Sequence, residues 1–233
     1  DLRRSRGLGD VYKRQDAHHV ETVSWPEVTS FIEDPVVRDQ AKMYHSERIG
    51  APPYGLNGDL GLRYQDVGGR IPHQSSQREK VTETDVHRDV VLTRRAMHGL
   101  SVDYMVIFPT PMLFLGMHPQ TEMEVFLSRA YNRWLTEKVL PGDPGMVTLV
   151  VLPFNTPVEA LKMVEEFADT PGVIGYCVTS TRYKPVHANE YMNLYRAIEE
   201  TGKPIAFHAG YHWQDPSLAL SLIHISEPTR PSQ

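Results

Sequence analysis

The chain has 233 residues, 40% hydrophobic and 23% charged, enough for one large core or two modest ones. Lys and Arg total 24 against 29 Asp and Glu, a net charge of −5 that argues against nucleic acid as the main partner. The single cysteine, Cys177, excludes an internal disulfide and fits a reducing, cytoplasmic setting, and no apolar run approaches the roughly 18 residues of a membrane span.

Both ends read as foreign to the fold. Ser5 to Gln15 resembles a translated sequencing adapter, and Leu220 to Arg230 resembles the same adapter end translated from the opposite strand. Residues 1–15 and 220–233 are therefore expected to pack against nothing and to show no consistent secondary structure. Asp16 to Ala219 remains as the folding segment, and it is more acidic than the chain as a whole.

That segment opens with Asp16-Ala17-His18-His19-Val20-Glu21. In a strand, residues two apart share a face, so Asp16 and His18 point one way and His19 the other, toward packing or surface. Glu21 reads as an exposed loop residue rather than one that reaches the site from the loop after the strand. Ser24-Trp25-Pro26-Glu27 starts a helix with Ser24 as N-cap, running to about Glu33, and a second short helix covers Val36 to Arg48. Gly50 to Ser76 is rich in Gly, Pro, Asn and Gln and reads as a long excursion, the kind of loop that serves as a lid or an oligomer contact.

Order returns with a helix capped by Thr82 or Thr84 that runs through Met97 and stops at Gly99. Val102 to Phe108 is a strand stopped by Pro109. Thr121 to about Leu140 is a long amphipathic helix, and Val147 to Leu152 is a strand. Thr156-Pro157 starts a helix through Ala168, Gly172 to Val178 is a strand, and Asn189 to Thr201 is a helix closed by Gly202. Ile205 to Phe207 is a last short strand that delivers His208 into a loop. The strands are continuously apolar and alternate with helices, so the sheet is parallel and covered. Five strands and four helical connections suit either a doubly wound sheet or a (βα) barrel, and no glycine-rich phosphate loop follows any of them.

Ten of the eleven histidines lie between residues 16 and 219, which invites a search for a metal site. Asp16 and His18 at the end of the first strand, and His208 at the end of the fifth, are ligand types at strand ends, where barrel enzymes build their sites. Arg182 follows the fourth strand beside Tyr183, and His212 follows the fifth beside Trp213; an arginine next to an aromatic could hold a substrate carboxylate. Thr110 and His118 after the second strand read as structural. Cys177, inside a strand, reads as a buried apolar residue.

Asp16-x-His18, Val102-Asp-Tyr-Met-Val-Ile-Phe-Pro-Thr110, Ala130-Tyr-Asn-Arg-Trp-Leu135 and Pro204-Ile-Ala-Phe-His208 together resemble the amidohydrolase superfamily. The resemblance is to the amidohydrolase-related branch that includes aminocarboxymuconate-semialdehyde decarboxylase and resorcylate-type decarboxylases. It implies an α/β fold, a (βα)8 TIM barrel of which strands 1–5 are present. It implies one divalent ion, Zn or Mn, with Asp16, His18 and His208 as ligands. It also implies an acid/base histidine and a last aspartate ligand on later strands, beyond this segment, so the catalytic residue is unknown. The expected activity is non-oxidative decarboxylation of a small carboxylated substrate. Metal-dependent hydrolysis of an ester, lactone or amide is the alternative, and a non-catalytic barrel relative is a third reading. A homo-oligomeric full-length form is expected, and the fragment alone is expected to be inactive.

Overall fold

The computed structural model describes residues 13–19, 21–43, 81–82, 85–118, 120–179 and 184–208. Five strands carry the architecture: β1 (Lys13–His18), β2 (Tyr104–Phe108), β3 (Met146–Val151), β4 (Val173–Val178) and β5 (Ile205–Phe207). They form one parallel sheet in the order β1-β2-β3-β4-β5. The helices are α1 (Trp25–Ser30), α2 (Pro35–Met43), α3 (Arg88–Leu100), α4 (Thr121–Trp134), α5 (Pro157–Phe167) and α6 (Met192–Glu200).

Alternation along the strands sorts their side chains. Met105 and Ile107 join the helix-covered core with Trp25, Leu127, Tyr131 and Trp134. Val150, Tyr176 and Val178 join a second such cluster with Phe154, Val164, Tyr191 and Ile198. Val106, Phe108, Leu149 and Cys177 form a third, on the opposite face of the sheet.

Several boundaries differ from the sequence expectation, each for a local reason. The first strand begins at Lys13, so Lys13, Arg14 and Gln15 belong to β1, and Lys13 and Arg14 pair with Tyr104 and Met105 of β2. Ladder bonds use backbone alone, so any extended segment can be added to a strand edge. The rest of residues 1–15, and all of 220–233, lie outside the described residues, as does the 50–76 excursion. Ser24 sits at the start of α1, but its backbone (φ −100°, ψ 18°) is not the extended form a cap needs, and its hydroxyl makes no cap bond. Asp34 caps α2 instead, accepting from the N–H groups of Val36 and Val37 at 2.8 and 3.0 Å.

The N-cap of α3 is neither Thr82 nor Thr84. His87 takes the position, its Nδ1 accepting from the Asp89 N–H at 3.1 Å. The helix runs past Gly99 and stops where Ser101 turns left-handed at φ 55°. α4 continues through a π-helical turn, Leu135–Val139, before Leu140–Gly142 closes it.

Candidate metal centre

β1 and β5 are the two outer strands of the five, yet their ends meet. His18 Nε2 and His208 Nε2 are 3.0 Å apart, with the rings edge to face at 4.9 Å between centroids. In a flat sheet four strand spacings would separate them by about 19 Å, beyond the reach of two imidazoles. The sheet therefore curls around the pair. This curvature is that of a barrel and excludes the open doubly wound alternative.

Each histidine is fixed by its strand. His208 extends the ladder past β5 by donating its N–H to the Val178 carbonyl at 2.9 Å. His18 Nδ1 lies 2.7 Å from the Pro109 carbonyl oxygen, which only accepts, so Nδ1 carries a proton and Nε2 is the nitrogen turned inward, with its lone pair there in the Nδ1–H tautomer. Between the rings, His208 Nε2–H is then the donor. The Phe108 ring borders both imidazoles, at 5.9 and 5.2 Å between centroids. Both histidines are half-buried.

Donors of this kind suit a divalent ion. Once His208 moves its proton to Nδ1, two imidazole nitrogens 3.0 Å apart can both lie within bonding range of one ion, given Zn–N distances of about 2.0–2.1 Å. Asp16 lies in β1 on a stretch where the pairing with β2 slips by one residue, between Arg14 and Ala17. Among the described residues, no group of three or more His, Cys, Asp or Glu side chains gathers around one point. Arg182 and His212 lie outside the described residues.

Glu21 corrects the expectation of an exposed loop residue. It is fully buried in the short 3-10 turn Glu21–Ser24. Its Oε2 accepts from the Thr110 N–H at 2.9 Å and its Oε1 from the Met112 N–H at 2.6 Å. Burial pushes its carboxyl above the usual carboxylate range, opposed by the charge of His19 and by these backbone donors.

His19 faces the helices, as alternation requires. Its Nδ1 meets Asp89 Oδ2 at 3.0 Å, its Nε2 meets the Tyr131 hydroxyl at 2.8 Å, and it stacks on Trp134. Burial raises the Asp89 carboxyl, but the hydrogen bond and charge of His19, with His87 and Arg88, outweigh that and hold it below its ordinary value. A cavity of about 90 Å³ opens between α3 and the ends of β1 and β2, reaching His18, His19, Arg88 and Asp89. His118 is buried and closes its own turn through Gln120. The contribution of Pro109 was not readable as site geometry, although a proline directly after an apolar strand does mark where a lone carbonyl will emerge; Glu21 could be placed near the site by its loop, but not its burial or its partners.

The family described as Amidohydrolase matches residues 83–233. The chain belongs to the amidohydrolase family. No curated protein matches its sequence. Among solved structures, it is similar to 2,6-dihydroxybenzoate decarboxylase from Rhizobium (TM-score 0.50, 14% identity, 67% of this chain and 49% of that one). It is similar to 5-carboxyvanillate decarboxylase from Sphingomonas paucimobilis (0.52, 17%, 85% and 51%). It is also similar to the Novosphingobium aromaticivorans 5-carboxyvanillate decarboxylase, complexed with manganese and 4-hydroxy-3-methoxy-5-nitrobenzoic acid (0.56, 13%, 92% and 55%). At these identities the likeness is one of fold, and the amidohydrolase chain spans about half the length of the structures it matches. The five strands among the described residues are those of an incomplete (βα)8 barrel. Among the described residues no helix is long and apolar enough to cross a membrane.

Proposed function

We propose that the protein is a metal-dependent, non-oxidative decarboxylase of small carboxylated aromatic substrates, with Asp16, His18 and His208 as ligands of one divalent ion, zinc or manganese. The observation that carries this reading is the convergence of His18 Nε2 and His208 Nε2 at 3.0 Å, at the C-terminal ends of strands one and five. The decarboxylases of similar fold, one holding manganese and a nitrobenzoic acid, support the choice of reaction.

When bound, the ion supplies Lewis-acid polarisation of a substrate carboxylate oxygen. His18 and His208 orient the substrate by fixing where that oxygen sits. Phe108, buried beside both rings, walls the pair with apolar surface. Arg182 and His212, after β4 and β5 in sequence, are the candidates for holding a second polar group of the substrate. The reaction breaks the ring–carboxyl C–C bond, releases CO2 and leaves the electron pair on carbon, which takes one proton. The donor of that proton is assigned to a histidine of a later barrel strand, by the family resemblance alone.

The test uses full-length protein carrying this segment, assayed with carboxyl-13C hydroxybenzoates in 2H2O. The expected result is one divalent ion per chain, labelled CO2, and one deuterium on the carbon that lost it. His208→Ala is expected to lower metal affinity at least tenfold and to abolish CO2 release. Lactone or ester cleavage without CO2 would make the protein a hydrolase, and no bound metal would leave only a binding role.

A further inference from the structure

The two turns that leave β1 and β2 are laced together around Pro109. The His19 N–H donates to the Phe108 carbonyl at 3.0 Å, and the Thr110 hydroxyl donates to the His19 carbonyl at 2.6 Å. Glu21 closes the lacing by taking the N–H groups of Thr110 and Met112, one on each carboxyl oxygen. Pro109 lies inside this knot with no N–H of its own. Its carbonyl accepts the His18 Nδ1–H at 2.7 Å.

We infer that Glu21 and Thr110 are positioning residues for His18: they hold the turn so that the Pro109 carbonyl fixes the Nδ1–H tautomer and presents Nε2 toward His208. The inference rests on the metal reading for its purpose, but not for its geometry. Burying a carboxylate is costly, and an apolar residue would fill the same space at less expense. A carboxylate alone offers two acceptor oxygens and no competing donor, which is what two converging backbone N–H groups require. Glutamine would turn one NH2 against an N–H. Groups that orient a metal-bound imidazole through its second nitrogen commonly change metal affinity 10- to 100-fold when altered.

The experiment uses Glu21→Gln, Glu21→Asp and Thr110→Val in the full-length protein. Two readouts are taken: the His18 tautomer from 15N-histidine NMR without metal, assigned by loss of its signals in His18→Ala, and the affinity for Zn2+ or Mn2+ against a chelating indicator. The wild type is expected to hold His18 as Nδ1–H. Glu21→Gln is expected to mix the tautomers and weaken metal binding 10- to 100-fold, with Glu21→Asp restoring part of both. His208→Ala should weaken binding and leave the tautomer alone. Should Glu21→Gln not fold, Thr110→Val decides by the same two readouts. A wild-type tautomer and wild-type affinity in the folded variants overturn the inference. If the wild type binds no metal but its tautomer still responds to Glu21→Gln, the positioning role stands and the metal reading falls.

Discussion

At the scale of single residues, His18 and His19 show how one step along a strand separates two chemistries. His18 faces His208, whereas His19 is enclosed with Asp89, Tyr131 and Trp134 on the helix side. Side-chain exposures of 8% for His19 and 3% for Asp89 leave little water to replace a lost partner. Asp89→Ala is therefore expected to cost about 3–5 kcal/mol, read as a lowered urea midpoint with unchanged slope. Glu124 makes a second prediction. It is buried on α4, holds the Asn155 side-chain amide at 2.9 Å, and burial raises its carboxyl from 4.5 to about 8 against the pull of Asn155 and the Phe154 backbone. The folded chain thus keeps a proton that the unfolded chain gives up above about pH 4.5. Its contribution is full below pH 4.5, falls as pH rises, and is gone above about pH 8. Melting temperature should fall across that window, and Glu124→Gln should flatten the decline. The face of His19 was legible from strand alternation. The burial of Glu21 was not, because the N–H groups that satisfy it come from residues 89 and 91 positions away.

At the scale of elements, the strand pattern was readable because apolar runs bounded by proline and glycine have few alternatives. Helix ends were less so, since His87 caps with a ring nitrogen and Ser101 with a left-handed backbone, neither of which residue type announces. Two devices hold β3 and β4 in place. The Asn132 side chain on α4 gives its amide to the Val151 carbonyl at 2.9 Å and takes the Val151 N–H at 3.0 Å, replacing strand partners where β2 has ended. Gly175 on β4 lies so close to β5 that a Cβ there would sit 2.6 Å from the Pro204 carbonyl oxygen. That carbonyl also takes the Tyr176 N–H at 2.9 Å, so it has nowhere to move without breaking the pairing. Gly175→Ala should push β5 away from β4 and displace His208. The expected signs are faster amide exchange at Tyr176 and His208 and weaker metal binding, with β1 and β2 unaffected and Leu149 of β3, 2.8 Å from the added Cβ, turned aside.

At the scale of the molecule, curvature decides what the sheet can do, because only a curled sheet lets strands one and five share a site. Neither composition nor strand count revealed that curvature; the family resemblance did, and the meeting of His18 with His208 shows its geometry. Among the described residues β1 and β5 each pair on one side only, and Val106, Phe108, Leu149 and Cys177 face the hollow of the arc. Expressed as this 233-residue polypeptide, the chain is expected to self-associate through those edges, seen as a concentration-dependent sedimentation coefficient. A monomer with a cooperative melt would mean that the edges are covered within the chain.

Cys177 turns the hollow of the arc into a clock. It is the chain's single cysteine, has no exposed surface, and lies in β4 opposite Ala206 of β5; burial pushes its thiol up to about 12. A thiol so protected is silent toward a colorimetric disulfide reagent until β4 and β5 part. The labelling rate therefore counts openings of the strand that carries His208, with no engineered probe and no substrate. An ion gripped by both His18 and His208 would tie strand one to strand five and slow that count in proportion to its occupancy. Labelling that runs equally fast with and without Zn2+ or Mn2+ would show that nothing spans the arc.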